Sequence, residues 1–226
     1  MASDVKRALA PVLLAATIRG ADEWHEMQLS MRRAEVAVGE TWHWLLGSKA
    51  LRIAQRRAAL RDGERYLQIG LGTGRSFLPM VLANPSGRNE GVGACEVVLD
   101  LCRQTLARAG ASNFVLRVGD VRRLALEDDL FDVVMGCYGL GRLPAQDVAL
   151  AVGEMHRVLR RGGRLLLVNL TRPTPWLYGR LGRGMDLERP MELGPCLVKA
   201  GFLDVSRMAY WQALFTSEVL RGVKRG

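Results

Sequence analysis

The sequence predicts an α/β fold built around a mostly parallel sheet. From Arg65 onward, short apolar runs alternate with amphipathic helical segments. The first run ends in a glycine cluster, Gly70-Leu71-Gly72-Thr73-Gly74, directly before a helix. Strand–helix alternation implies crossover connections, which lay strands side by side in parallel with helices on both faces. The chain has 226 residues, 49% hydrophobic and 24% charged, enough to bury a core and typical of a globular protein.

Each element follows from its local pattern. Residues 1–62 read as helical, with apolar positions at Val36, Leu45, Leu46, Leu51 and Ile53, and Asp62-Gly63 closes them with a turn. They form an N-terminal helical extension, and residues 63–226 form the α/β domain. Tyr66 to Ile69 is the first strand and Ser76 to Ala83 the helix after the glycine cluster. A second strand spans Glu90 to Ala94, and an amphipathic helix runs from Val97 to Ala109, closed by Gly110. Phe114 to Val118 and Phe131 to Cys137 are the next strands, the latter apolar enough for burial on both faces. A helix over Ala145 to Leu159 is expected to be capped at Gly162-Gly163, before a fifth strand over Arg164 to Leu170. Residues 171–190, rich in Pro and Gly and holding Trp176 and Tyr178, read as a loop or short helical insert. A helix over Met191 to Ala200 and strands near Leu203 to Tyr210 and Ser217 to Val223 complete the chain, the last two as an antiparallel edge hairpin.

Several function classes lose support. The apolar run Ala8 to Ile18 is too short to span a bilayer and contains Pro11. Asp4 sits beside Lys6 and Arg7, and no small-residue cleavage site follows, so a signal peptide is not expected and the cytoplasm is. The four cysteines show no metal-ligand spacing, so no metal is expected. The net charge of +9 is dispersed in short groups such as Arg56-Arg57 and Arg160-Arg161. No aromatic-interleaved basic motif accompanies it, so nucleic acid is not the expected partner. Peripheral contact with an anionic membrane stays open. Oligomeric state is not legible.

Glycine at 70, 72 and 74 allows a sharp strand-to-helix turn and close ligand approach. A dinucleotide loop needs G-x-G-x-x-G, and here the third glycine comes one residue early. Three further stretches accompany the loop: Gly91 to Cys95 with Leu99 and Arg103; Gly119-Asp120-Val121 with Leu124; and Phe131 to Val134, followed by Glu154 to Leu159 and Gly162-Gly163. Together they resemble the class I S-adenosylmethionine-dependent methyltransferases, nearest the ubiquinone and menaquinone biosynthesis branch. The resemblance implies a Rossmann-like seven-stranded sheet with an antiparallel strand at one edge. It also implies that Gly70, Gly72 and Gly74 pass under the methionine and ribose of S-adenosylmethionine. Asp120 would accept from the adenine amino group beside Val121, with Gln68, Gly93, Ala94 and Cys137 lining the same cofactor site. The helical extension would act as a lid.

Two positions depart from the family pattern. Gln68 stands where an acid is usual, and Gly93 stands where an acid usually holds both ribose hydroxyls. Losing such a charge-assisted contact costs on the order of 1.5–3 kcal/mol. Methyl transfer mainly needs alignment of the acceptor and, for a phenol, amine or acidic carbon, removal of a proton. His43 and His25, flanked by Trp24, Trp42 and Trp44, are the catalytic candidates of the lid, and Tyr138 is the candidate beyond the fourth strand. His156, mid-helix and far from the carboxyl ends of the strands, reads as structural. The expected function is methyl transfer to a small, hydrophobic or aromatic, quinone- or lipid-like acceptor. The alternative is a methyltransferase-fold protein with a degenerate cofactor site, acting as a non-methylating enzyme or binding subunit.

Overall fold

A computed structural model describes residues 49–173, 191–212 and 215–226. Seven strands form one sheet in the order β3-β2-β1-β4-β5-β7-β6. They are β1 (Arg65–Ile69), β2 (Arg88–Gly93), β3 (Phe114–Val118), β4 (Phe131–Cys137), β5 (Leu159–Pro173), β6 (Phe202–Gln212) and β7 (Phe215–Lys224). The pairs β1–β2, β1–β4, β2–β3 and β4–β5 are parallel. The last hairpin closes one side of the sheet: β7 inserts antiparallel between β5 and β6, and β6 is outermost.

Helices cover both faces. On one face lie helical residues 49–58 (α1), Leu78–Leu82 (α2) and Glu96–Arg108 (α3). Ala50, Ala54 and Ala58 recur every fourth residue on α1 and are fully buried, so the helix approaches the sheet closely. Leu99, Cys102 and Leu106 present the matching stripe of α3 to Tyr66, Leu71 and Phe77. On the other face lie Ala145–Val158 (α4) and Gly194–Lys199 (α5). Val148, Ala151, Val152 and Met155 of α4 pack with Leu67, Val134 and Leu167 of the sheet. Arg164 on β5 ties α1 down by donating to the Ala58 and Ala59 carbonyls and pairing with Glu64 at 2.6 Å.

Most strands and helices fall within a few residues of where the sequence places them; β5 runs on to Pro173, into the stretch expected as a loop, because residues 170–173 still pair with β7, and three further differences change an element's character. The helix after the glycine cluster is Leu78–Leu82 rather than Ser76 to Ala83, because residues 75–77 turn back onto Gly74. The expected cap at Gly162-Gly163 is not a cap. α4 stops at Val158, and Leu159 already pairs with Phe131 in β5. Gly162 (φ +71°) lets the chain bend inside the strand, and a Cβ on Gly163 would stand 3.1 Å from the Phe131 carbonyl oxygen. The expected helix over Met191 to Ala200 is confined to Gly194–Lys199. Among the described residues, no helix is long and apolar enough to cross a membrane, and no group of His, Cys, Asp and Glu is placed to hold a metal ion.

Candidate cofactor site

β1 delivers the glycine loop to the carboxyl edge of the sheet, where open α/β sheets bind ligands. Gly70, Gly72 and Gly74 all have positive φ, at 78°, 50° and 85°. Two of them are needed for packing. A Cβ on Gly70 would lie 2.3 Å from the Cys137 carbonyl oxygen, so the loop rests on the end of β4. A Cβ on Gly74 would lie 2.8 Å from Cys102 Sγ, so α3 also packs directly on the loop. Leu71, between them, is fully buried and anchors the turn.

Gln68 points into the core beneath the loop and is fully buried. Its Oε1 accepts from the Tyr66 hydroxyl at 2.7 Å, and its Nε2 donates to Ser76 Oγ at 2.7 Å. The Ser76 carbonyl in turn accepts from Gln55 Nε2 of α1 at 3.0 Å. Burial holds the Tyr66 phenol well above its ordinary pKa, with the Cys137 thiol adding to the shift. Gln68, expected among the cofactor contacts, is thus a buried partner of Tyr66 and Ser76.

The remaining candidates line up along the same edge. Gly93 ends β2, is buried, and lends its carbonyl to the Gly119 N–H at 3.0 Å, tying the loops after β2 and β3 together. A Cβ here would meet Leu99 Cδ2 at 2.8 Å and Val98 Cγ1 at 3.2 Å. Ala94 is exposed beside it. Glu96 has a side chain 68% exposed and pairs loosely with Arg103 at 3.7 Å, so it faces solvent.

Asp120 follows β3 with an exposed carboxylate. Arg122 grips both of its oxygens, at 2.7 Å to Oδ2 and 2.9 Å to Oδ1, and donates its backbone N–H to Oδ1. The guanidinium and that N–H hold the Asp120 carboxyl down at about 2. Arg122 also bridges to Asp147 in the first turn of α4 at 2.8 Å. Asp120 therefore stays ionised, fixed in place and an acceptor only. Val121 beside it is half-buried and packs toward the α4 side of the core.

Cys137 ends β4 against the loop. Tyr138 follows with φ 50°, an unusual conformation for a bulky residue and a form of strain common at functional sites. Its N–H donates to the Val168 carbonyl at 2.8 Å, and its buried hydroxyl lies 3.3 Å from Ser217 Oγ on β7. His25, His43, Trp24, Trp42, Trp44, Trp176 and Tyr178 lie outside the described residues. His156 packs edge-on against Phe202, with ring centroids 4.8 Å apart, on the α4 side of the sheet away from the loop. Burial, then the nearby Lys224 ammonium, lowers its pKa.

Sequence reasoning missed Tyr66, Ser76, Arg122 and Ser217. The pairing of Tyr66 with Gln68 was visible in principle, since residues two apart on a strand share a face. Ser76 and Ser217 reach their partners only through tertiary packing.

This arrangement of sheet order and glycine loop defines a class I methyltransferase fold. Residues 67–163 match the family model described as a methyltransferase domain. A demethylmenaquinone methyltransferase of Mycobacterium tuberculosis is 38% identical over 125 residues, covering 54% of this chain and 48% of that protein. A ubiquinone/menaquinone biosynthesis C-methyltransferase of Saccharophagus degradans is 33% identical over 120 residues, covering 51% of this chain and 47% of its own. The chain thus spans about half the length of the curated relatives it matches. The solved structure of the YcgJ protein of Bacillus subtilis superposes with a TM-score of 0.64 at 20% identity, covering 79% of this chain and 99% of its own, a likeness of fold.

Proposed function

We propose that the chain binds S-adenosylmethionine at the glycine loop and transfers its methyl group to a small, hydrophobic, quinone-like acceptor. The observation that carries this is the placement of Gly70–Gly74 and the ionised Asp120 along one sheet edge of a domain similar to quinone methyltransferases. The residues fit the cofactor's two ends. The glycine loop would hold the methionine and ribose backbone side, and Asp120 would accept from the adenine amino group with Val121 beside the ring. Cys137 and Ala94 would border the same groove. The ribose end is the weak point, since Gly93 brings no carboxylate and Glu96 is turned to solvent. Affinity for the cofactor is therefore expected to be lowered about tenfold relative to a site with that acid.

When bound, the cofactor supplies an electrophilic methyl group. The chain's own residues orient the acceptor against it and exclude water. We assign acceptor alignment to Tyr138, whose strained backbone places it between the end of β4 and β7, and proton removal to His43 or His25 of the helical lid, residues 1–62. The same reading places the enzyme in the cytoplasm. With a net charge of +9, it would meet a lipophilic acceptor at an anionic membrane surface.

Isothermal calorimetry with S-adenosylmethionine and S-adenosylhomocysteine tests the cofactor step. Saturable binding of both is expected, and no binding of either would defeat the proposal. Sedimentation with anionic vesicles and methylation of demethylated quinones test the acceptor class.

A further inference from the structure

The arginines of the described surface fall into two kinds. Arg103, Arg117, Arg122, Arg157 and Arg207 each hold a carboxylate. Helix α1 is different. From Lys49 to Arg61 the chain carries five basic residues and no acidic one, so nothing within the segment neutralises them. Arg52 and Arg56 are exposed, and no carboxylate among the described residues lies within ion-pair distance of either. Spaced three and four apart, Lys49, Arg52 and Arg56 share the side of α1 away from Ala50, Ala54 and Ala58. Arg57 extends the positive surface onto the sheet: it donates to Ser206 Oγ at 2.7 Å, and Arg221 of β7 stands opposite Ser206.

This stripe begins at the ligand edge of the sheet. Lys49 Nζ stands 5.7 Å from the centroid of the Tyr210 ring. Tyr210 pairs with Ser217 across the hairpin, and Ser217 Oγ lies 3.3 Å from the Tyr138 hydroxyl. Apolar surface is exposed at the same corner, on the outermost strand β6. Met208, which accepts from the Tyr210 hydroxyl, is 42% exposed, and Trp211 is 65% exposed. We propose that this α1–β6 corner docks onto an anionic phospholipid bilayer, with Arg52 and Arg56 against lipid phosphates and Trp211 at headgroup depth. It rests on the reading of a lipophilic acceptor and names the surface through which that acceptor is reached. A basic stripe alone suits any polyanion, nucleic acid included. The exposed Met208 and Trp211 favour a bilayer, which offers phosphates and an apolar layer side by side. Tryptophan, with an apolar ring and one N–H, settles at that boundary.

Sedimentation with vesicles that contain no acceptor tests the surface. The wild-type protein is expected to bind vesicles of phosphatidylcholine with phosphatidylglycerol, not phosphatidylcholine alone, and to be released by high salt. Each basic residue at such a surface is worth about fivefold in partitioning, so Arg52→Gln with Arg56→Gln should weaken binding about thirtyfold. Arg108→Gln with Arg123→Gln removes the same charge from exposed positions at the β3 end of the sheet and should weaken binding about twofold or less. Trp211→Ala should weaken vesicle binding and leave retention on heparin unchanged. Equal loss in the two double variants would assign binding to net charge and overturn the proposal. So would wild-type binding in Trp211→Ala, retention on heparin without binding to anionic vesicles, or no binding to either. Each of these outcomes leaves the cofactor reading standing, which fails separately if calorimetry shows no binding of S-adenosylmethionine.

Discussion

Replacing Gly70 with alanine isolates the contact that seats the glycine loop. Gly70 has φ +78°, and an L-residue there costs on the order of 1–2 kcal/mol. The new Cβ would also stand 2.3 Å from the Cys137 carbonyl oxygen and 3.1 Å from that of Tyr138. Both are backbone atoms, so no rotamer change relieves the overlap, and the loop or the end of β4 must shift. Such overpacking costs about 1–3 kcal/mol. Together the two effects come to about 2–5 kcal/mol, and at roughly 2–4 °C per kcal/mol the midpoint of thermal unfolding falls by roughly 4–20 °C. Gly110 supplies the control: its φ is +72°, and an added Cβ meets nothing within 4 Å. Gly110→Ala therefore carries the backbone strain alone. Thermal unfolding by circular dichroism should place Gly70→Ala below Gly110→Ala, and calorimetry should show loss of cofactor binding only in the former. Equal midpoints would mean that the loop does not bear on β4 as described.

Other perturbations probe the supports of the site. Arg157 donates to the Leu124 and Leu126 carbonyls and pairs with Glu154 and Asp128, pinning the segment that follows Asp120. Arg157→Ala strands two carbonyls and should cost about 2–3 kcal/mol in urea unfolding, with faster amide exchange confined first to that segment. Asp120 has its folded pKa depressed to about 2 from 3.8, so its contribution is complete above pH 3.8 and fades as pH falls toward 2. In Arg122→Ala the carboxyl resonance of Asp120 should titrate near its ordinary value, and an unchanged titration would disprove the pairing. His156 has its folded pKa lowered from 6.5, so the unfolded chain binds the proton more readily and stability drops as pH falls below 6.5. His156→Phe should flatten that slope in pH-dependent unfolding.

The strands β3 and β4 were legible to the residue, because apolar runs bounded by turn residues are local signals. The glycine cluster was legible as a tight turn after the first strand for the same reason. Asp120 was legible as a candidate, but its Arg122 clamp was not, since side-chain forks leave no periodic trace. The start of β5 was misplaced because Gly162-Gly163 looks like a helix cap, and only pairing of Leu159 with Phe131 turns the chain into β5 earlier. The two departures from the family pattern divide in the same way. The absence of an acid at Gly93 is a fact of the sequence alone, and its consequence for the ribose follows from charge. What Gln68 does was decided by tertiary structure. Its role depends on Tyr66 across the strand face and on Ser76 carried back over it by the loop, a meeting set by packing rather than by local order.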